Sequence, residues 1–190
     1  MNIFILSEEP REAARMMCDK HINKMIIEAA QMLCTAHRML DGQVERRASK
    51  SGKRMVNYWV HPNSNLEATL YKAVHHHHPC TVWTMETKSN YIWHSEHMVG
   101  LTDEFEHRYG KEHMTKLKLI DTLKHAPDNI KDSGLTPFAQ AMSHYPDCKV
   151  EGDAVSAYRN YYHAAKDFAI WNKGRPAPSW WQGYKGESWA

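Results

Sequence analysis

The sequence predicts a mainly α-helical protein: one orthogonal bundle built around a long, nearly buried helix close to the N-terminus, with a short extended arm before it. Three observations predict this. Apolar residues recur at helical spacing through most of the chain. Helix-start and helix-stop residues punctuate it, at Ser7 with Pro10, at Pro79, at Gly110 and at Thr136 with Pro137. Beyond residues 2–6, no segment shows the period-two alternation of a strand. At 190 residues the chain can bury its own core as a single domain spanning 1–190.

Asn2 to Leu6 forms a short apolar run, read as a buried strand or an extended arm. Asn2 is larger than the residues that normally permit removal of an initiator methionine, so the expected mature terminus is Met1 with its α-amine free. Ser7 suits a cap, Pro10 the first turn, and Glu8 and Glu9 the positive end of the helix dipole. The first helix is expected to run from there to Asp41-Gly42. On its 3.6-residue period Lys20, His21, Lys24, Glu28, Gln31, Thr35 and Arg38 share a stripe roughly 100° wide. The rest of the circumference is apolar (Ile22, Met25, Ile26, Ile27, Ala29, Ala30, Met32, Leu33), so the stripe faces either solvent or a cleft.

Residues 43–57 hold five Lys or Arg between Arg46 and Arg54 and read as a basic, flexible surface loop. The alternative is a loop that orders on a phosphate backbone. A helix is expected over 65–74, then His75-His76-His77-His78 leads into Pro79, which starts a third helix ending near Gly100. Consecutive histidines point in different directions, so at most two of the four can share an ion. Trp83, Asn90, Trp93 and His97 line one face of the third helix, as core or as a base-stacking surface. Further helices are expected over 101–109, over 111–125, over 136–142 and from Asp153 to Trp171. The tail, 174–190, is aromatic and is expected to pack on the domain.

Several function classes are excluded by what is missing. No GxGxxG, GxxxxGK[ST], HExxH, GxSxG or CxxC motif occurs. Cys18, Cys34, Cys80 and Cys148 lack disulfide-framework spacing and fit a reducing compartment. No apolar run approaches 18 residues, and residues 1–9 lack a signal peptide's basic start, so the expected location is cytoplasmic, without a membrane partner. The formal charge of +2 permits nucleic-acid binding through a local patch without demanding it.

Three constellations carry chemistry. Lys24 and Glu28, one turn apart beside His21, are either a solvated ion pair or a carboxylate acid/base with a phosphate-holding cation. Arg108-Tyr109-Gly110-Lys111, Tyr158-Arg159-Asn160-Tyr161-Tyr162 and Arg175 with Trp180-Trp181 suit either a backbone-gripping, base-stacking surface or a core rimmed by charge. Cys18 with His21, and His94 with His97, have ligand spacing, yet no further ligand stands at a recognised distance, so neither metal nor cofactor is expected.

Most of the chain contributes to one resemblance. Met1-Asn2-Ile3-Phe4, Cys18-Asp19-Lys20-His21 with Lys24-Met25 and Glu28 to Leu33, His78-Pro79-Cys80 with Trp83, Arg108 to Lys111 with His113, Leu135 to Phe138, and Tyr158 to Tyr162 resemble a widespread family of small bacteriophage proteins. Its members are often labelled pyrimidine-dimer DNA glycosylases. Arg175-Pro176 followed by Trp180-Trp181-Gln182-Gly183-Tyr184 is also similar to the aromatic end of the characterised phage pyrimidine-dimer glycosylase/AP lyase. That enzyme is all-helical and attacks with its N-terminal α-amine, assisted by a helix-borne glutamate. It exposes a processed threonine where this chain has Met1, which sets a bulky side chain beside the amine.

The resemblance implies a DNA-repair or DNA-modification enzyme acting at a base–sugar bond. Met1 would be the nucleophile, Glu28 the carboxylate, and Lys24 and His21 would assist. Lys20, Arg108, Lys111, Tyr158, Arg159, Arg175, Trp180 and Trp181 would contact duplex DNA. Two alternatives stay open: a non-enzymatic phage protein that binds nucleic acid or a host protein, and a nucleotide or small-molecule enzyme using the His-rich cleft.

Overall fold

The computed structural model describes residues 1–186 and is mainly α. Its elements are α1 (Pro10–Arg15), α2 (Asp19–Leu40), β1 (Gln43–Ala48), β2 (Met55–Val60), α3 (Ser64–Thr69), α4 (Pro79–Glu86), α5 (Lys88–Tyr109), α6 (Met114–Leu123), a 3₁₀ turn (Pro146–Cys148) and α7 (Ala154–Ala165). No described helix is long and apolar enough to cross a membrane. Residues 187–190 of the expected aromatic tail lie outside the described residues.

The predicted first helix is two helices. α1 ends at Met16, and α2 starts anew from Cys18, whose backbone is extended. The guanidinium of Arg108, on α5, fills the break: it donates to Arg15 O and Met17 O, both at 2.9 Å, and to Asp19 Oδ1 at 2.9 Å. Carbonyls that a continuous helix would bond internally are thus satisfied by one buried side chain. α2 is otherwise as enclosed as its sequence implied, with Ile22, Ile26, Ala30, Met32, Leu33 and Cys34 at 0% exposure.

The break predicted at Gly100 is absent. α5 runs through it, and the glycine serves close packing: a Cβ there would stand 3.0 Å from Ala14 Cβ and 3.0 Å from Arg11 Cα of α1. The interruption falls earlier, at Thr87, whose extended backbone ends α4 and whose side chain accepts the Asn90 amide to cap α5. Trp83, Asn90, Trp93 and His97 all lie in the core, which removes the base-stacking reading of that face.

The basic segment predicted as a flexible loop is ordered. Residues 43–60 form an antiparallel hairpin pairing Gln43 with Val60 through Ala48 with Met55. Met55-Val-Asn-Tyr-Trp-Val has strong strand propensity, and Gly52 closes the turn at φ +71°. All of β1 is exposed, so the alternation that usually reveals a strand is missing. Two predicted helices are shorter than expected: the one over 65–74 stops at Thr69, and the last stops at Ala165. Residues 136–142 are irregular because side chains take over their backbone bonds: Asn90 Oδ1 accepts Thr136 N–H, and Tyr158 Oη donates to Ala139 O and accepts Ala141 N–H.

Candidate active site

The arm, residues 1–6, has no regular structure, yet Ile3, Phe4, Ile5 and Leu6 are all buried. Phe4 sits at φ +58°, a conformation that an aromatic residue rarely adopts and that stores strain. The ring stacks on His21 with centroids 4.5 Å apart and meets Tyr158 and Tyr162 edge-on. Asn2 anchors the turn, donating through Nδ2 to Ala141 O at 2.9 Å while its Oδ1 accepts Ile3 N–H.

This anchoring delivers the chain's first atoms to the α2 stripe. The Met1 α-amine lies 3.6 Å from Glu28 Oε2, and the Asn2 amide donates to the same oxygen at 2.9 Å. Lys24 Nζ stands 3.4 Å from Glu28 Oε1. The Met1 side chain is only 4% exposed, with its sulfur receiving the Thr81 hydroxyl at 3.7 Å. Its bulk is therefore stowed in the protein, and what Met1 presents is its backbone end. Glu28 keeps 13% of its side chain open, whereas Lys24 keeps 65%.

Two further groups stand beside this pair: Lys166, which sequence reasoning did not single out, and His78 of the histidine run. Lys166, the residue capping α7, has its pKa pushed down to about 8, chiefly by burial and then by Lys24, with Glu28 pulling the other way. Its ammonium sits 4.1 Å over the Tyr161 ring and 5.3 Å over Phe4. His78 caps α4 by accepting the Cys80 amide on Nδ1; burial and the N-terminal charge lower its pKa, opposed by Glu28. No motif marks Lys166, which lies 138 residues beyond Glu28.

His21 is not an open member of the stripe. It is 4% exposed, hydrogen-bonds Tyr162 Oη through Nδ1, and has its pKa driven to about 3 by burial, with Lys166, Lys24 and Lys20 adding to the shift. A neutral buried ring backs Phe4 and cannot exchange protons with substrate near neutral pH. Arg38, also on the predicted stripe, is buried too, held by the carbonyls of Trp59, Glu67, Leu70 and Tyr71 and by the Glu67 carboxylate. Only the N-terminal half of the stripe is open.

The expected DNA contacts divide. Lys20, which stacks over Phe168 at 4.2 Å, and Lys111 are exposed. Arg108 is buried in ion pairs with Asp19 and Glu104, and Arg175 grips Glu104 at 2.7 Å, so both serve the core. Tyr158 is fully buried. Arg159 donates to Leu6 O at 2.9 Å and packs over Trp180 at 5.5 Å, along a surface cleft of about 800 Å³ also lined by Ser7, Thr136 and Asp153. Trp180 and Trp181 are half-buried against Tyr162 and His163, which packs them on the domain and leaves no open stacking platform. Of the histidine run, His76 lies against Trp59 and His77, and His75 bends the chain at φ +49°.

An amine, a carboxylate and a lysine within ion-pairing distance can perform nucleophilic chemistry on an electrophilic carbon, the carboxylate moving protons and the cation holding a nearby anion. No family model, curated protein or solved structure matches this chain.

Proposed function

We propose that this protein is a DNA glycosylase/AP lyase of the bacteriophage kind, with the Met1 α-amine as nucleophile and Glu28 as its proton-transfer partner. The observation that carries the reading is the 3.6 Å approach of the Met1 amine to Glu28 Oε2, built by a strained and otherwise buried arm. A carboxylate this close is placed to take a proton from the amine as it becomes the nucleophile. The free amine forms a bond to C1′ as the glycosidic C–N bond breaks, and the base departs with the proton that the alkylated amine sheds. Opening of the sugar gives an iminium between the chain and C1′, Glu28 returning a proton to the ring oxygen. Loss of a C2′ proton then expels the 3′ phosphate, and water releases the enzyme. Lys24 would hold the phosphate beside the reacting sugar.

Duplex contact would come from exposed cations: Lys20 and Lys24 on α2, and Arg46, Arg47, Lys50, Lys53 and Arg54 on the hairpin. The chain between them lies along α2, with His76 against Trp59 at 4.8 Å, Val74 bonded to Thr35 Oγ1 at 3.1 Å and His78 within the field of the Met1 amine.

The test is borohydride trapping on duplexes containing abasic sites or ultraviolet lesions, followed by peptide mapping. A covalent adduct on Met1, abolished by acetylating the α-amine, is the expected result. An adduct on Lys166 would move the nucleophile to that residue. Absence of any adduct or strand cleavage by a protein of intact Met1 mass would reject the enzyme reading.

A further inference from the structure

At the far end of α2 stands a second cluster, some 13 Å along the helix from Glu28 at about 1.5 Å per residue. It comprises His37, Asp41 and His61, with ligating atoms all within 4.8 Å of one another. His37 Nδ1 and His61 Nε2 each lie 3.9 Å from Asp41 Oδ2. Both nitrogens are buried and hydrogen-bond to nothing. The residues themselves are 4% and 7% exposed, and the Asp41 side chain 8%.

The surroundings fix what these atoms offer. His37 Nε2 faces His125 O at 3.1 Å and Tyr91 Oη at 2.9 Å, and that hydroxyl already donates to Leu123 O. A carbonyl only accepts, so the His37 proton is on Nε2 and Nδ1 carries a bare lone pair. This lone pair points at a carboxylate oxygen, acceptor against acceptor. Asp41 is held by the Asp128 amide and by Asn129, through its amide and side chain, and its only ion-pair partners among the described residues are the two imidazoles. A buried carboxylate facing a lone pair calls for positive charge between them.

We propose that His37, Asp41 and His61 bind one divalent zinc-type ion, the fourth position taken by water. The donor set of two imidazoles and one carboxylate is one that zinc accepts, and the backbone carbonyl behind His37 supplies the outer-shell bond that orients a ligating histidine. With zinc about 2.0–2.2 Å from each donor, tetrahedral ligands stand about 3.4 Å apart, so on loading the two 3.9 Å His–Asp separations close by about half an ångström and the His–His pair, within 4.8 Å, by up to about 1.4 Å. His61 Nδ1 accepts the Asn63 amide at 3.1 Å, which puts the neutral ring's proton on Nε2. Loading therefore requires the tautomer with the proton on Nδ1, which gives up the bond from the Asn63 amide as the Nε2–metal bond forms. The ion would tie the end of α2 to the residue after β2, fixing the base of the basic hairpin.

Protein lacking any polyhistidine tag, stripped with chelator and then titrated with zinc sulfate, tests the site. Elemental analysis should give one zinc per chain, with a raised melting temperature and a nitrogen/oxygen shell in X-ray absorption. Asp41→Asn and His61→Ala should each weaken uptake at least about tenfold, while the double variant His76→Ala/His77→Ala should retain it. If His61→Ala does not fold, Asp41→Asn carries the comparison. Failure of the wild-type chain to take up zinc, or undiminished uptake by both ligand variants, would overturn the proposal. In the second outcome the exposed histidine run is the binder, and in the first a water molecule bridges the cluster.

Discussion

Asn2 and Glu28 are joined through the backbone: the Asn2 amide donates to Glu28 Oε2 at 2.9 Å, one residue from the amine that the same oxygen faces. The carboxylate is therefore oriented by a bond that survives when the amine reacts. Glu28→Gln keeps an acceptor for that amide, so its melting temperature should stay near wild type. Its single-turnover rate on an abasic duplex should fall by about 10²–10⁴. Glu28→Ala should lose comparable activity and also melt earlier, because a partly buried amide at the arm is left unpaired.

Acid should unfold this protein through its histidines. Burial lowers the pKa of His21 to about 3 and of His97 to about 4, and lowers His94 as well. Each is neutral in the folded chain, while in the unfolded chain it gains a proton near pH 6.5. The unfolded state thus binds more protons from about pH 6.5 downward, and each group removes up to about 1.4 kcal/mol per pH unit until its folded value is reached. Denaturation curves between pH 7 and 4 should steepen accordingly. His21→Phe, which keeps the stacking on Phe4, should be less acid-sensitive; an unchanged pH slope would refute the assignment.

Arg108 is predicted to act on stability and not on DNA. Its side chain is 0% exposed, yet it carries Asp19, Glu104 and the carbonyls at the α1–α2 break. Arg108→Met should cost about 3–5 kcal/mol by leaving buried Asp19 without its ion-pair partner and the Arg15 and Met17 carbonyls without their donor, while Arg175 keeps its hold on Glu104. The salt dependence of DNA binding by the folded variant, measured by fluorescence anisotropy, should match the wild type.

The hairpin should behave in the opposite way. Lys50, Lys53 and Arg54 are exposed and form no ion pair among the described residues. Replacing all three with Ala should leave the melting temperature within about 1 °C. The slope of log Kd against log salt should fall by about 0.9 for each phosphate that the variant no longer neutralises. An unaltered slope would remove the hairpin from the interface.

α2 was legible in the sequence because its apolar circumference leaves a strong period, and Pro79, Gly110 and Asp153 act locally as caps or stops, whereas the break at Thr87 was not foreseen. Gly100 was misread because a stop and a close helix crossing use the same residue; only the position of Ala14, 86 residues earlier, separates them. Arg108 and Arg175 looked like surface cations because their partners, Asp19 and Glu104, are distant in sequence or lie on another turn. His21 shares a helical face with Lys24, but Phe4 of the arm covers it. The closeness of Met1, Glu28 and Lys24 was expected as an arrangement; its chemical role belongs to the proposal. His61 and Lys166 had no local signal, since each acquires its meaning from residues brought in by folding.

The stowed side chain of Met1 has a practical consequence for anyone handling the protein. With its thioether against Thr81, the first residue works as a plug at the end of the chain, and its nitrogen is the outward-facing part. Residues added ahead of it, as in an N-terminal affinity tag, turn that nitrogen into an amide while leaving the plug seated. Such a protein would fold, melt and purify normally and would be chemically silenced in the proposed reaction. Affinity handles belong at the other end of the chain.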